Sequence, residues 1–112
     1  MKSYTDLKQS KQLAKFLPLE SADMYFDGHG RLPQGYAYTL IYPNTFNYDR
    51  PCWSLATLLE VLPYPSLHKT FMGWRCDSYN KEGTSCSLGE PSDNPIDACY
   101  EMIVKLHEQN IL

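Results

Sequence analysis

A chain of 112 residues, 43% hydrophobic and 21% charged, has the size and composition of one globular domain rather than a disordered tail. Its formal charge of −3, from 10 basic and 13 acidic residues, has the wrong sign for gripping a phosphate backbone. No apolar run approaches the about 20 residues that a bilayer-spanning helix needs, so neither nucleic acid nor membrane is expected as a partner.

The opening residues, Met1 to Asp6, turn polar where an export signal needs an apolar stretch, so a cytoplasmic protein is expected. Tyr4 to Leu17 then reads as a helix. Ser3 is placed to cap it, Asp6 stands at the reciprocal position of a capping box, and Pro18 stops it. Leu7, Leu13, Ala14, Phe16 and Leu17 supply the apolar side, while Lys8, Lys11 and Lys15 form a solvated stripe.

Asp23 to Asp27 is short and aromatic, as in a strand, and Gly28-His29-Gly30 makes a turn after it. Tyr36 to Tyr42 is a second strand. Five of its seven residues are aromatic or β-branched, and Pro43 ends it. Together the two suggest a hairpin around the 28–35 loop. A loop follows from Pro43 to Cys52, carrying Phe46 and Tyr48.

Trp53 to Leu62 carries a strong helical signal. Ser54 is a natural N-cap, and Trp53 with Leu58 occupies the two positions of a hydrophobic staple. Leu55, Leu58, Leu59 and Leu62 share one face, ended by Pro63 and Pro65. Thr70 to Asp77 and Ser85 to Leu88 read as two more strands, joined through Asn80-Lys81-Glu82-Gly83. The last helix has Asn94 as cap, Pro95 at its first position and Asp97 in its first turn. Ile96, Cys99, Tyr100, Ile103, Leu106 and His107 follow helical spacing.

The order is helix, strand pair, helix, strand pair, helix over a single domain, residues 1–112. The class is α+β: a small, largely antiparallel sheet of about four strands with three helices packed on it, since each element has one apolar side to hide.

No residues group into a recognisable chemical site. The closest cysteines, Cys76 and Cys86, are ten positions apart, too far for a zinc pair, and His29, His68 and His107 are isolated. Asp77 to Gly83 fails as a calcium loop, because Tyr79 stands where an oxygen ligand is needed and no glutamate closes the loop. Nucleotide-binding glycine patterns and a nucleophile elbow are absent as well. Asp93 and Asp97 lie at a helix start, where capping accounts for them. No catalytic residue, cofactor or metal is therefore assigned. Cys52 precedes a helix start, where the dipole lowers a thiol pKa. It is the nearest approach to a nucleophile, with anchoring beside Trp53 as its plainer role. The four cysteines are expected as free thiols, and Cys76 and Cys86 flank a hairpin across which they could face each other.

What stands out is the aromatic content, 13% of the chain with nine Tyr, two Trp and four Phe. Tyr36 and Tyr38 alternate onto one sheet face with Tyr42, and Phe46 and Tyr48 adjoin it. Such side chains either pack against the helices or make a binding surface, for which tyrosine is well suited.

Three stretches resemble a family of small proteins of unknown function encoded by gut anaerobes, often near prophages and other mobile elements. They are Gln9-Ser10-Lys11 through Ser21 to Tyr25; Pro51-Cys52-Trp53-Ser54-Leu55 with Leu58, Leu59 and Pro63; and Asn94-Pro95-Ile96-Asp97-Ala98 with Glu101, Met102 and Leu106. The resemblance implies a shared fold and no particular activity. The aromatic surplus and the absence of a chemical site lead to the expectation of a non-enzymatic protein that binds another protein, or an accessory protein of a mobile element or prophage. The alternatives are a small ligand-binding or enzyme module with a pocket near Cys52 and the 43–52 loop, and a homodimer through an exposed sheet face.

Overall fold

The computed structural model describes residues 2–26, 33–35 and 51–112. Over these the chain forms helix α1 (Leu7–Leu13), a 3-10 turn (Leu19–Ser21) and strands β1 (Met24–Phe26), β2 (Pro33–Gly35) and β3 (Pro51–Cys52). Helix α2 (Leu55–Val61) follows, then strands β4 (Pro65–Thr70), β5 (Gly73–Tyr79) and β6 (Cys86–Ser87), and helix α3 (Pro95–Glu108). The α+β class, the three helices and the antiparallel pairing are as expected. The strands, however, are shared between two sheets of three, ordered β2-β1-β3 and β4-β5-β6. Each sheet collects strands that are neighbours in sequence, and α2 separates the two groups along the chain.

The first helix begins later than its sequence suggests. Asp6, not Ser3, is the N-cap: its carboxylate accepts from the Gln9 amide at 2.8 Å, while Gln9 Oε1 accepts from the Asp6 amide at 3.1 Å. Both spacings carry a capping signal, and the tertiary pairing decides between them. The Thr5 amide donates to the Trp53 carbonyl at 3.0 Å, and Tyr4 bridges Ser54, so residues before Asp6 run extended. The helix ends at Leu13, short of the expected Leu17, and Pro18 opens the following 3-10 turn.

β1 lies within the stretch expected for it, but its partners differ from expectation. Met24 to Phe26 pairs with Gly35 to Pro33, and Met24 and Tyr25 pair on the other side with Cys52 and Pro51. The end of the presumed 43–52 loop is thus a strand. Residues 36–50, including the expected Tyr36–Tyr42 strand, lie outside the described residues.

Helix α2 starts as its sequence dictates. Ser54 caps it, and the staple residues Trp53 and Leu58 are both fully buried. Leu62 is buried too, while Leu55 and Leu59 pack against the same core. The chain then turns into β4, a strand that the two prolines conceal. Pro65 is tolerated because it opens an edge strand, where a missing N–H breaks no ladder.

β5 is the central strand of the second sheet. Its register with β4 runs from Pro65 opposite Ser78 to Thr70 opposite Gly73. The hairpin to β6 turns at Asn80, whose Oδ1 accepts from the amides of Thr84 and Ser85 at 2.9 and 3.2 Å. Helix α3 is capped by Asn94, which accepts from the Asp97 amide at 2.9 Å, with Pro95 at its first position. Ile96, Cys99, Met102, Ile103 and Leu106 form its buried face. His107, assigned to the apolar stripe by spacing, is exposed and stacks on Phe16 with ring centroids 3.8 Å apart.

The core joins Leu13 of α1, Trp53, Leu58 and Leu62 around α2, Cys76 of β5 and the α3 face into one buried cluster. Each large aliphatic or aromatic side chain so buried contributes about 1.5–3 kcal/mol. Among the described residues no helix is long and apolar enough to cross a membrane.

Candidate functional site

The residues with chemical potential are mostly occupied in holding the fold. Cys52 is fully buried. Its thiol donates to the Thr5 carbonyl at 3.4 Å and accepts from Thr5 Oγ1 at 3.8 Å. Burial pushes this thiol up to about 11, against smaller opposing hydrogen bonds, the opposite direction from an activated nucleophile. A shallow groove lies elsewhere, between Leu88–Glu90 and the Ala98, Glu101, Met102 and Lys105 side of α3.

Cys76 and Cys86 do not face each other. Cys86 stands opposite Tyr79, whereas Cys76 stands opposite Leu67 on the core side of β5. There it joins the buried cluster that also holds Cys99 of α3. Sequence spacing conceals this neighbour, because nothing local relates positions 76 and 99.

Two aspartates act as structural hubs. Asp23 accepts from the Ser54 amide at 3.0 Å, from Ser54 Oγ at 2.6 Å and from Thr57 Oγ1 at 3.1 Å, anchoring β1 to the start of α2. Asp97 accepts from Lys2 Nζ at 2.9 Å, Gln9 Nε2 at 2.7 Å and Asn94 Nδ2 at 2.9 Å. Burial alone would raise the Asp97 pKa, but these donors and the Lys2 charge outweigh it and hold the carboxyl below its usual range. Asp77, the last residue of the expected Thr70–Asp77 strand, lies within β5 and is buried. It accepts from the Gly89 amide at 2.9 Å and from Arg75 at 3.1 Å. Among the described residues no three His, Cys, Asp or Glu side chains gather as a metal site would require.

Tyr36, Tyr38, Phe46 and Tyr48, the surface candidates from sequence, lie outside the described residues. A different apolar feature stands out within them. β4 and β5 are joined by only Phe71 and Met72, and these two side chains are 99% and 68% exposed. Two-residue hairpin loops favour Asn-Gly or similar pairs that accept positive φ. Neither Phe71 nor Met72 takes positive φ; Gly73 does so instead, at +126°.

The apex is held firmly from below. Thr70 Oγ1 donates to the Gly73 carbonyl at 2.8 Å and accepts from the Met72 amide at 3.1 Å. Just beneath, Trp74 exchanges two backbone hydrogen bonds with Ser92, at 2.8 and 2.7 Å, and a side chain at Gly73 would collide with the Ser92 carbonyl. The Lys69 ammonium sits 6.0 Å from the Trp74 ring, at the outer reach of a cation–π contact. Between the Ser78–Ser87 pair and the Trp74–Ser92 bridge, β5 advances four residues and its neighbour five, which is one bulged residue. Asp77 fills that bulge through the Gly89 amide, and any side chain at Gly89 would strike the Cys76 carbonyl.

The arrangement suits contact rather than chemistry: a braced hairpin presenting an aromatic ring and a thioether to solvent. Sequence reasoning missed it by running one strand through Thr70–Asp77. The available signal was Gly73 following two bulky residues between two strand-like runs. Comparison with family models, curated proteins and solved structures gives no match to this chain.

Proposed function

We propose that this chain is a non-enzymatic protein-binding module whose principal contact is the Phe71–Met72 apex of the β4–β5 hairpin. The observation that carries the reading is the 99% exposure of Phe71 on a turn fixed by Thr70, Gly73 and Ser92. A single exposed apolar residue is ordinary on a protein surface. Two bulky ones in succession, at the apex of a loop type that prefers small polar residues, need a separate reason. Burying Phe71 in an apolar pocket of a partner would gain about 1.5–3 kcal/mol, the scale of an interface hot spot. Because the hairpin is already ordered, little conformational entropy is lost on binding. Met72 is unbranched and adapts to irregular pockets. A role as accessory factor of a mobile element or prophage is supported by the sequence resemblance alone.

The test is affinity capture from cells of the native host with the wild-type chain and with the Phe71→Asp/Met72→Asp double variant in parallel. A protein retained by the first and lost by the second supports the reading. Identical capture by both, with both folded, contradicts it.

A further inference from the structure

Two thiols of the core have no part in the binding reading. Cys76 lies mid-strand in β5 and Cys99 in the second turn of α3, and both are fully buried. β5 and α3 pack directly together, and Cys76 and Cys99 are the two cysteines of the core cluster that these elements share. An apolar core asks only for small hydrophobes at these positions, which alanine or valine would satisfy.

We infer that Cys76 and Cys99 form a reversible disulfide on exchange with a small-molecule disulfide, covalently joining the central strand of the second sheet to the C-terminal helix. In the first step the Cys76 thiolate attacks one sulfur of the small disulfide, forming a mixed disulfide and releasing one thiolate. Cys99 then attacks the Cys76 sulfur, its proton passes to the departing thiolate, and the second small thiol leaves. Two protein thiols are oxidised by two electrons, and one small disulfide is reduced to two thiols. The same disulfide and the same two small thiols result whichever of the two cysteines attacks first.

Because both sulfurs are shielded from water, exchange proceeds through local opening of α3 from β5 and is slow compared with Cys86, the half-exposed thiol. The closed ring would run from residue 76 to 99 and enclose the β5–β6 hairpin, the bulge at Gly89 and the start of α3. Cross-linking a loop of this length restricts the unfolded chain and raises Tm by about 10 °C. The oxidised form therefore keeps its fold and gains rigidity beneath the Trp74–Ser92 bridge, whether or not the hairpin apex binds a partner.

The experiment uses the full chain carrying Cys52→Ala and Cys86→Ala, equilibrated with excess oxidised glutathione and mapped as non-reduced peptides by mass spectrometry. The wild-type chain, treated and mapped in the same way, covers the case in which the double variant folds poorly. The expected result is a linked peptide pair containing Cys76 and Cys99, loss of both thiols, and a Tm rise reversed by reductant. Recovery of two free thiols after equilibration overturns the inference, as does stable glutathione on either residue or, in the wild-type chain, pairing of Cys76 with Cys52 or Cys86. Capture through the Phe71–Met72 apex is measured separately, so either idea can fail alone.

Discussion

Trp53 and Phe71 are both large aromatic residues flanking short structured elements, yet the first is fully buried and the second 99% exposed. Around Trp53 every neighbouring group has structural work. Its indole N–H donates to Ser21 Oγ at 3.0 Å, its amide to Thr5 Oγ1 at 3.1 Å, and Asp23 secures the helix start that follows. Around Phe71 the polar groups secure the turn's backbone and leave the ring free. The contrast teaches that this chain builds its fold from one kind of corner and displays another. Exposure of a bulky residue carries functional weight when the surrounding hydrogen bonds fix it there.

The sharpest way to break the comparison is at the buried corner. Trp53→Ala should cost about 3–5 kcal/mol in urea unfolding, because it empties a packed site and leaves Ser21 without a donor. Asp23→Ala removes three accepted hydrogen bonds at once and should cost about 2 kcal/mol, read in the same way. Ser54→Ala, which removes the cap but leaves Asp23 its Thr57 bond, should cost about 1 kcal/mol.

A pH series probes the network joining the N-terminal arm to α3. Asp6 and Asp97 are both held below their ordinary value of 3.8; in each, burial alone would raise the pKa, and the hydrogen bonds and the Lys2 charge outweigh it. A carboxyl with a lowered folded pKa contributes stability that is complete above the unfolded value. It is lost as pH falls through the folded one. The thermal unfolding midpoint should therefore fall below about pH 4, and Asp97→Asn should flatten that acid limb. At alkaline pH the sign reverses for Lys2. Burial alone would lower its pKa, but its bonds to Asp97 and Asp6 raise it above 10.5, so its contribution fades only as pH climbs past that region.

The sequence was most readable where local chemistry decides structure. Ser54 and Asn94 cap helices as their positions imply, and Pro95 and Asp97 fall where a helix start uses them. It was less readable where two local signals compete, as with Ser3 and Asp6, and the contact of Thr5 with Trp53 made the choice. β4 was hidden because Pro63 and Pro65 end one helix and open one strand in the same few residues. The hairpin apex escaped notice because its turn lacks the expected small polar pair, and the meeting of Cys76 with Cys99 because it depends wholly on tertiary packing. Local rules found the helices and their caps; the apex sits on a turn without the usual turn residues, and the cysteine pair rests on tertiary packing.

Urea unfolding of the Phe71→Asp/Met72→Asp double variant tests the separation of display from scaffold most directly. The unfolding free energy should stay within about 0.5 kcal/mol of wild type, as for surface positions that support nothing in their own fold. A loss above about 2 kcal/mol would mean that the apex is buried against the chain itself, and the contrast between the two corners would disappear.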